Sequence, residues 1–325
     1  MKALKYSDIS LVPRYSEVHS RSDCSTAVEI NDHKFKLPIM PANMKSVVNM
    51  DIASWMSDNG YFYIMHRFNR DLFDDVKFAN EENWKTISFS VGIKIKDKIA
   101  IDKIAKDPDL RLDFVTIDIA HGYCKRMQMM IEHIKKRLPK TIVIAGNVTT
   151  PDAVVALSNW GAHIVKVGIG QGSPCTTKDK TGFTIPMFTA VKSCGDCYAS
   201  RDQFDVGQKI PIIADGGIKC NGDIAKALVA GADLVMAGGM FAACVDSAAV
   251  SSTINNVPHK AYFGSASAEN KGHSKNIEGK LTNVCCNNMT YEQKLLEIEE
   301  DLQSAISYAG GHNILSLKNV KYFEL

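Results

Sequence analysis

The sequence carries almost no surplus charge: 38 Lys and Arg stand against 36 Asp and Glu, a formal net charge of +2. That removes any general electrostatic reason to bind nucleic acid or an anionic membrane, so a bound anion needs a local site. No run of about 18 uninterrupted apolar residues occurs, so no transmembrane helix is expected. The N-terminal MKALKYSDISLVPRY has no apolar core of a secretory signal, and a soluble, cytoplasmic protein is expected. Low-complexity linkers and visible domain boundaries are missing too. With 325 residues, 45% of them hydrophobic, one large core can absorb the whole chain.

Paired cysteine clusters at metal-binding spacing are also lacking. The nine cysteines are odd in number and irregularly spaced, which fits reduced thiols better than a disulfide framework. CGDC (Cys194, Cys197) has no second CxxC or CxxH partner, so a solvated helix end or loop is favoured over zinc. The adjacent Cys285 and Cys286, in a polar run, receive no role.

What is present is an alternation. Eight short apolar runs, LPIMPANM, YFYIMHR, TISFSVGI, FVTIDIAHG, TIVIAGNV, HIVKVGIG, PIIADGG and DLVMAGG, read as strands buried on both faces of a parallel sheet. Amphipathic segments such as VNMDIASWMSDNG and CKRMQMMIEHIKKRL lie between them, several with helix-capping residues at their ends. YEQKLLEIEEDLQSAISYAGG reads as a closing helix stopped by Gly310 and Gly311. This predicts an α/β fold: a (β/α)8 TIM barrel, one domain over residues 1–325, with its site at the C-terminal rim of the strands. An open dinucleotide-binding sheet is disfavoured, because no strand leads into GxGxxG with an acidic residue about 20 positions on.

Three rim segments could share one phosphate. Gly170, Gly172 and Ser173 follow the sixth strand, Gly216 and Gly217 the seventh, and Gly238 and Gly239 the eighth. Glycines let backbone N–H groups approach phosphate oxygens, and the last two loops are the usual barrel phosphate site. Asp215 cannot favour that anion, but it can accept hydrogen bonds from a ribose diol, so together they imply a nucleoside monophosphate. In KVGIGQGSPCTTKDKTG, Cys175 sits just past the cradle. It reads either as an inert buried thiol or as a nucleophile favoured by loop N–H groups and Lys178. Lys166, inside an apolar run, is read as packing against the barrel.

KVGIGQGSPCTT, IIADGGI, AGNV and FGSAS…EGK, after YSDISLVP, resemble the IMP dehydrogenase/GMP reductase family over almost the whole chain. The second run passes directly to FNRDLFDDVKFANEENW, with no paired-CBS insertion. The stretch between Gly239 and Glu278 lacks the Arg-Tyr pair that activates water in the dehydrogenases. The resemblance therefore implies the family's reductive branch: NADPH-dependent deamination of GMP to IMP and ammonia, in purine salvage. An IMP dehydrogenase lacking its regulatory domain and a non-catalytic purine-nucleotide-binding barrel are the alternatives.

By resemblance, Cys175 attacks purine C2, and Thr177 and Glu278 relay the proton that releases ammonia. Ser173, Gly216, Gly217, Gly238 and Gly239 hold the phosphate, Asp215 the ribose, and Lys275 the guanine side. Asp118, Ala120, His121 and Gly122 match the nicotinamide-side contacts. The backbone carbonyls of Gly168, Gly170 and Cys175 match a monovalent-cation (K+) loop. A homotetramer is implied as well. Four positions depart from the pattern: Gln171 replaces the usual Pro, Pro174 the usual Ile or Val, Lys275 an Arg, and His121 a frequent Asn.

Overall fold

The computed structural model describes residues 2–196 and 209–325. Seven parallel strands form one curled sheet in the order Ile39–Pro41, Leu234–Ala237, Ile212–Asp215, Ile164–Val167, Ile142–Val148, Phe114–Asp118 and Ser88–Val91. Helices alternate with them, including Met50–Asn59, Leu72–Glu81, Ile95–Lys106, Lys125–Arg137, Pro151–Asn159, Met187–Asp196 and Asn221–Val229. This is the expected barrel arrangement, with seven of the eight predicted runs in the ladder.

The eighth place belongs to residues 61–67, which make one bridge instead of a ladder. Met65 pairs with Phe89; its N–H donates to Ser88 O at 3.0 Å, and its carbonyl accepts from Ser90 N at 2.9 Å. The opposite edge explains the shortfall. Val235 N donates to Pro38 O and Ala42 N donates to Ala237 O, so the even-numbered groups of this edge strand face Leu234–Ala237. Alternation turns Ile39 and Pro41 toward residues 61–67, and Pro41 has no N–H to offer. Side chains close what the backbone leaves open. Phe62 and Ile64 are fully buried in the inner cluster with Met40, Phe114, Ile144, Ile164, Ile213 and Met236. The hairpin Val28–Ile30 and His33–Phe35 plugs the lower end, placing Phe35 4.8 Å from Phe62, ring centre to ring centre.

Capping follows local chemistry. Asn49 Oδ1 accepts from Ile52 N at 2.9 Å at the start of Met50–Asn59. Thr290 and Gln293 form a capping box at the start of the closing helix, Tyr291–Tyr308. Cys194 differs from expectation: it is fully buried within Met187–Asp196, not solvated, because that helix turns Phe188, Val191 and Cys194 to the core. Cys197 lies outside the described residues. Among the described residues, no helix is long and apolar enough to cross a membrane.

After Leu234–Ala237 the chain builds a small three-stranded antiparallel sheet from Ser251–Ile254, Val257–Phe263 and Leu281–Cys285. Its position matters because the segment entering the last strand carries Glu278.

Candidate active site

At the C-terminal rim lies a cleft of about 1260 Å³, more than one small ligand needs. One wall is the barrel. Lys166, on the fifth strand of the chain's ladder, is only 1% exposed, yet its ammonium is not packed against hydrocarbon. Nζ donates to Asp118 Oδ1 at 3.0 Å and to Asn43 Oδ1 at 3.2 Å, and pairs with Asp215 Oδ2 at 3.2 Å. Asn147 adds a second brace, donating from Nδ2 to Asp215 Oδ2 at 2.8 Å and to Gly168 O at 2.7 Å. Burial alone would raise the Asp118 carboxyl, but Lys166 and Arg67 overcome it and hold the group below its ordinary 3.8. Burial would likewise lower the Lys166 ammonium, and the two carboxylates reverse that, pushing it well above 10.5.

The other wall is built from loops. Cys175 bridges to Gly279 in antiparallel fashion; Thr176 N donates to Glu278 O at 2.9 Å and Lys280 N to Pro174 O at 2.8 Å. These contacts bring together residues distant in sequence: Cys175 Sγ lies 3.2 Å from Thr177 Oγ1, which donates to Glu278 Oε2 at 2.7 Å. A thiol, a hydroxyl and a carboxylate thus form one unbroken chain opening on the cleft. Gln171 has a local task, donating from Nε2 to Thr184 Oγ1 at 2.6 Å, and Thr184 in turn donates to Ile169 O at 2.9 Å. It pins the loop to Thr184.

Ser173, Gly216, Gly217, Gly238 and Gly239 converge on the same cleft, as do Gly168, Gly170, Asp118, Ala120 and Lys275. Glycine is required at two of these positions by close approach. A Cβ at Gly168, whose φ is +144°, would collide with the Asp215 carbonyl, and one at Gly238 with the Tyr262 hydroxyl. His121 and Gly122 do not reach the lining. His121 is exposed, and Gly122 is buried with its N–H donating to Asn147 O at 2.7 Å. That glycine serves the turn.

Two lining residues escape sequence reasoning. Tyr262, buried beside Gly238, has its phenol pushed up by burial and by Asp215 and Cys175, so it remains a neutral donor. Its nearest signal is the Tyr of YFGSAS. For Lys166 the signal is a lysine inside an apolar run, which a fully buried strand tolerates only with charged partners.

The whole chain supports this grouping. Residues 3–325 match the family model described as the IMP dehydrogenase / GMP reductase domain. The chain is 45% identical over 325 residues to a protein named GMP reductase from Helicobacter pylori (strain G27), covering 99% of this chain and 96% of that one. Proteins of the same name from Staphylococcus epidermidis and Oenococcus oeni are each 44% identical, over 99% of this chain and 96% and 97% of theirs. With a family model matched over residues 3–325 and relatives 44–45% identical over nearly the full length, the chain belongs to the IMP dehydrogenase/GMP reductase family.

Proposed function

We propose that the protein is a GMP reductase, converting GMP to IMP and ammonia at the expense of NADPH. The observation that carries this reading is the chain Cys175–Thr177–Glu278, with steps of 3.2 and 2.7 Å. Cys175 Sγ adds to C2 of the guanine. The 2-amino group leaves only when protonated, and the Thr177 hydroxyl, backed by Glu278, provides the proton path. Departure of ammonia leaves a thioimidate joining Cys175 to C2. Asp215, held by Asn147 and Lys166, receives the ribose hydroxyls. The phosphate lies against Ser173, Gly216, Gly217, Gly238 and Gly239, with Tyr262 as an added donor, and Lys275 reaches the base from the rim.

The far half of the cleft fits a nicotinamide. Asp118, Ala120 and Asn147 line it. Arg67, Lys94 and Lys96 on the same side suit a phosphorylated dinucleotide. When bound there, NADPH supplies the hydride that resolves the adduct at C2 and frees Cys175. For a K+ ion we assign the carbonyls of Gly168, Gly170 and Cys175; Gly168 O already accepts from Asn147 and would serve the ion through its second lone pair.

The test is direct. GMP added to protein and NADPH should remove the nicotinamide absorbance and release ammonia in equal amounts. Turnover with IMP and NAD+ but none with GMP and NADPH would replace this reading with the dehydrogenase one.

A further inference from the structure

The small antiparallel sheet holds a second thiol with a base beside it, outside the cleft. Cys285 and His259 stand directly opposite each other in the register of Val257–Phe263 and Leu281–Cys285. Cys285 Sγ lies 3.3 Å from His259 Nε2. The other ring nitrogen, Nδ1, lies 2.8 Å from Val257 O. A carbonyl can only accept, so Nδ1 carries a hydrogen, and in the matching tautomer Nε2 presents its lone pair to the thiol. Cys285 is therefore the donor.

Nucleophile, base and a third group that orients the base form the arrangement that activates a thiol. Burial gives no alternative explanation, since Cys285 is exposed and fills no core space. Neither Cys285 nor His259 lines the cleft, so the pair is not part of the proposed purine chemistry. The site is also too open to enclose a substrate. What an exposed, base-assisted thiol can meet is a small disulfide in solution.

We propose that Cys285 is a thiol–disulfide exchange site, with His259 as its base and a low-molecular-weight disulfide as co-reactant. The Cys285 proton moves to His259 Nε2, and the thiolate attacks one sulfur of the disulfide. The old S–S bond breaks, a mixed disulfide forms at Cys285 Sγ, and the departing thiolate takes the proton from His259. Cys285 is oxidised and the leaving thiolate is the reduced product, so no further oxidant is needed.

Cys220 provides an internal reference. It too is exposed, at the N-cap of helix Asn221–Val229. A faster reaction at Cys285 must then come from the imidazole. The experiment incubates the full-length protein with glutathione disulfide at pH 7 and follows each cysteine by peptide mass mapping. Cys285 should be modified about tenfold faster than Cys220, and His259→Gln should bring the two rates together. Cys285→Ser should abolish that adduct without changing turnover of purine substrate. Equal rates at Cys285 and Cys220 in the unaltered protein would overturn the proposal. So would an unchanged Cys285 rate in His259→Gln, provided the circular dichroism of that variant matches the parent.

Discussion

On the barrel wall of the cleft, Lys166, Asp118, Asp215 and Asn147 stand on four neighbouring strands and are joined side chain to side chain. On the opposite wall, Glu278 reaches Cys175 through a segment attached by backbone hydrogen bonds, with residues 271–276 exposed just before it. Breaking a buried ion-pair network by removing one partner costs about 3–5 kcal/mol, whereas one ordinary hydrogen bond contributes about 1 kcal/mol. The charged groups of the barrel wall, proposed to face ribose and cofactor, are therefore rigidly determined. Glu278, the proposed proton carrier, is held by far less. The proposed reaction in two stages suits that division, because in it ammonia release needs Glu278 in place and hydride transfer does not.

The comparison is broken most completely at the nucleophile. Cys175→Ala should reduce turnover to background, while calorimetric titration finds GMP affinity within about threefold of the parent, since the proposed phosphate and ribose contacts lie elsewhere. Retention of a tenth of the activity would exclude the covalent route. Next in size is Glu278→Gln. Ammonia release from GMP should fall about 10²–10⁴-fold, while hydride exchange between IMP and NADP+, measured by isotope transfer, falls much less. Equal losses in both would mean that Glu278 positions the Cys175 loop instead of passing a proton.

The barrel wall is tested by stability. Lys166→Met leaves Asp118 and Asp215 facing each other without their cation and should lower unfolding free energy at pH 7 by about 3–5 kcal/mol, read from urea melts. The pH dependence follows from the two shifts. Asp118, held below 3.8, contributes stability that is whole above that value and is lost as pH falls below it. Lys166, pushed above 10.5, contributes stability that is whole below that value and is lost as pH rises beyond it. The gap between parent and variant should narrow as pH rises past 10.5, and on the acid side it should begin to narrow above 3.8, because without the cation burial raises the Asp118 carboxyl in the variant. A gap independent of pH would show that Lys166 contributes packing alone.

The same contrast explains what could be read from residues alone. The barrel strands announce themselves because burial on both faces demands continuous apolar runs, and the glycines at their ends mark the rim. The run at residues 61–67 has that character too, but its pairing on one side depends on the edge strand carrying Pro41, a neighbour that its own sequence does not reveal. Lys166 was visible as an oddity, but its role depends on what three other strands present to it. Thr177 and Glu278, 101 positions apart, meet only because the antiparallel sheet returns the chain to the rim. No local pattern carries that pairing, and the family resemblance alone anticipated it. Tyr262 arrives on the same sheet and was missed for the same reason.

The smallest effect is expected at Pro174, where the loose wall has been stiffened. A proline there removes a backbone donor beside the phosphate loops, and a lost hydrogen bond to a charged group costs about 1.5–3 kcal/mol. It also restricts the open loop, which contributes about 0.4–1 kcal/mol when the conformation is compatible. The geometry favours the second effect. Pro174 is buried while Ser173 is exposed to the cleft, and the Pro174 carbonyl is engaged by Lys280 N at 2.8 Å. Its Cδ, which occupies the direction an N–H would take, lies 3.9 Å from where a Cβ on Gly172 would stand, within the loop itself. On that placement the missing donor is expected to serve its own loop and not the proposed phosphate. Pro174→Val should weaken GMP binding by about two- to fivefold, the equivalent of the lost stiffening. A tenfold gain in affinity by calorimetry would show instead that the N–H of an ordinary residue here reaches the phosphate.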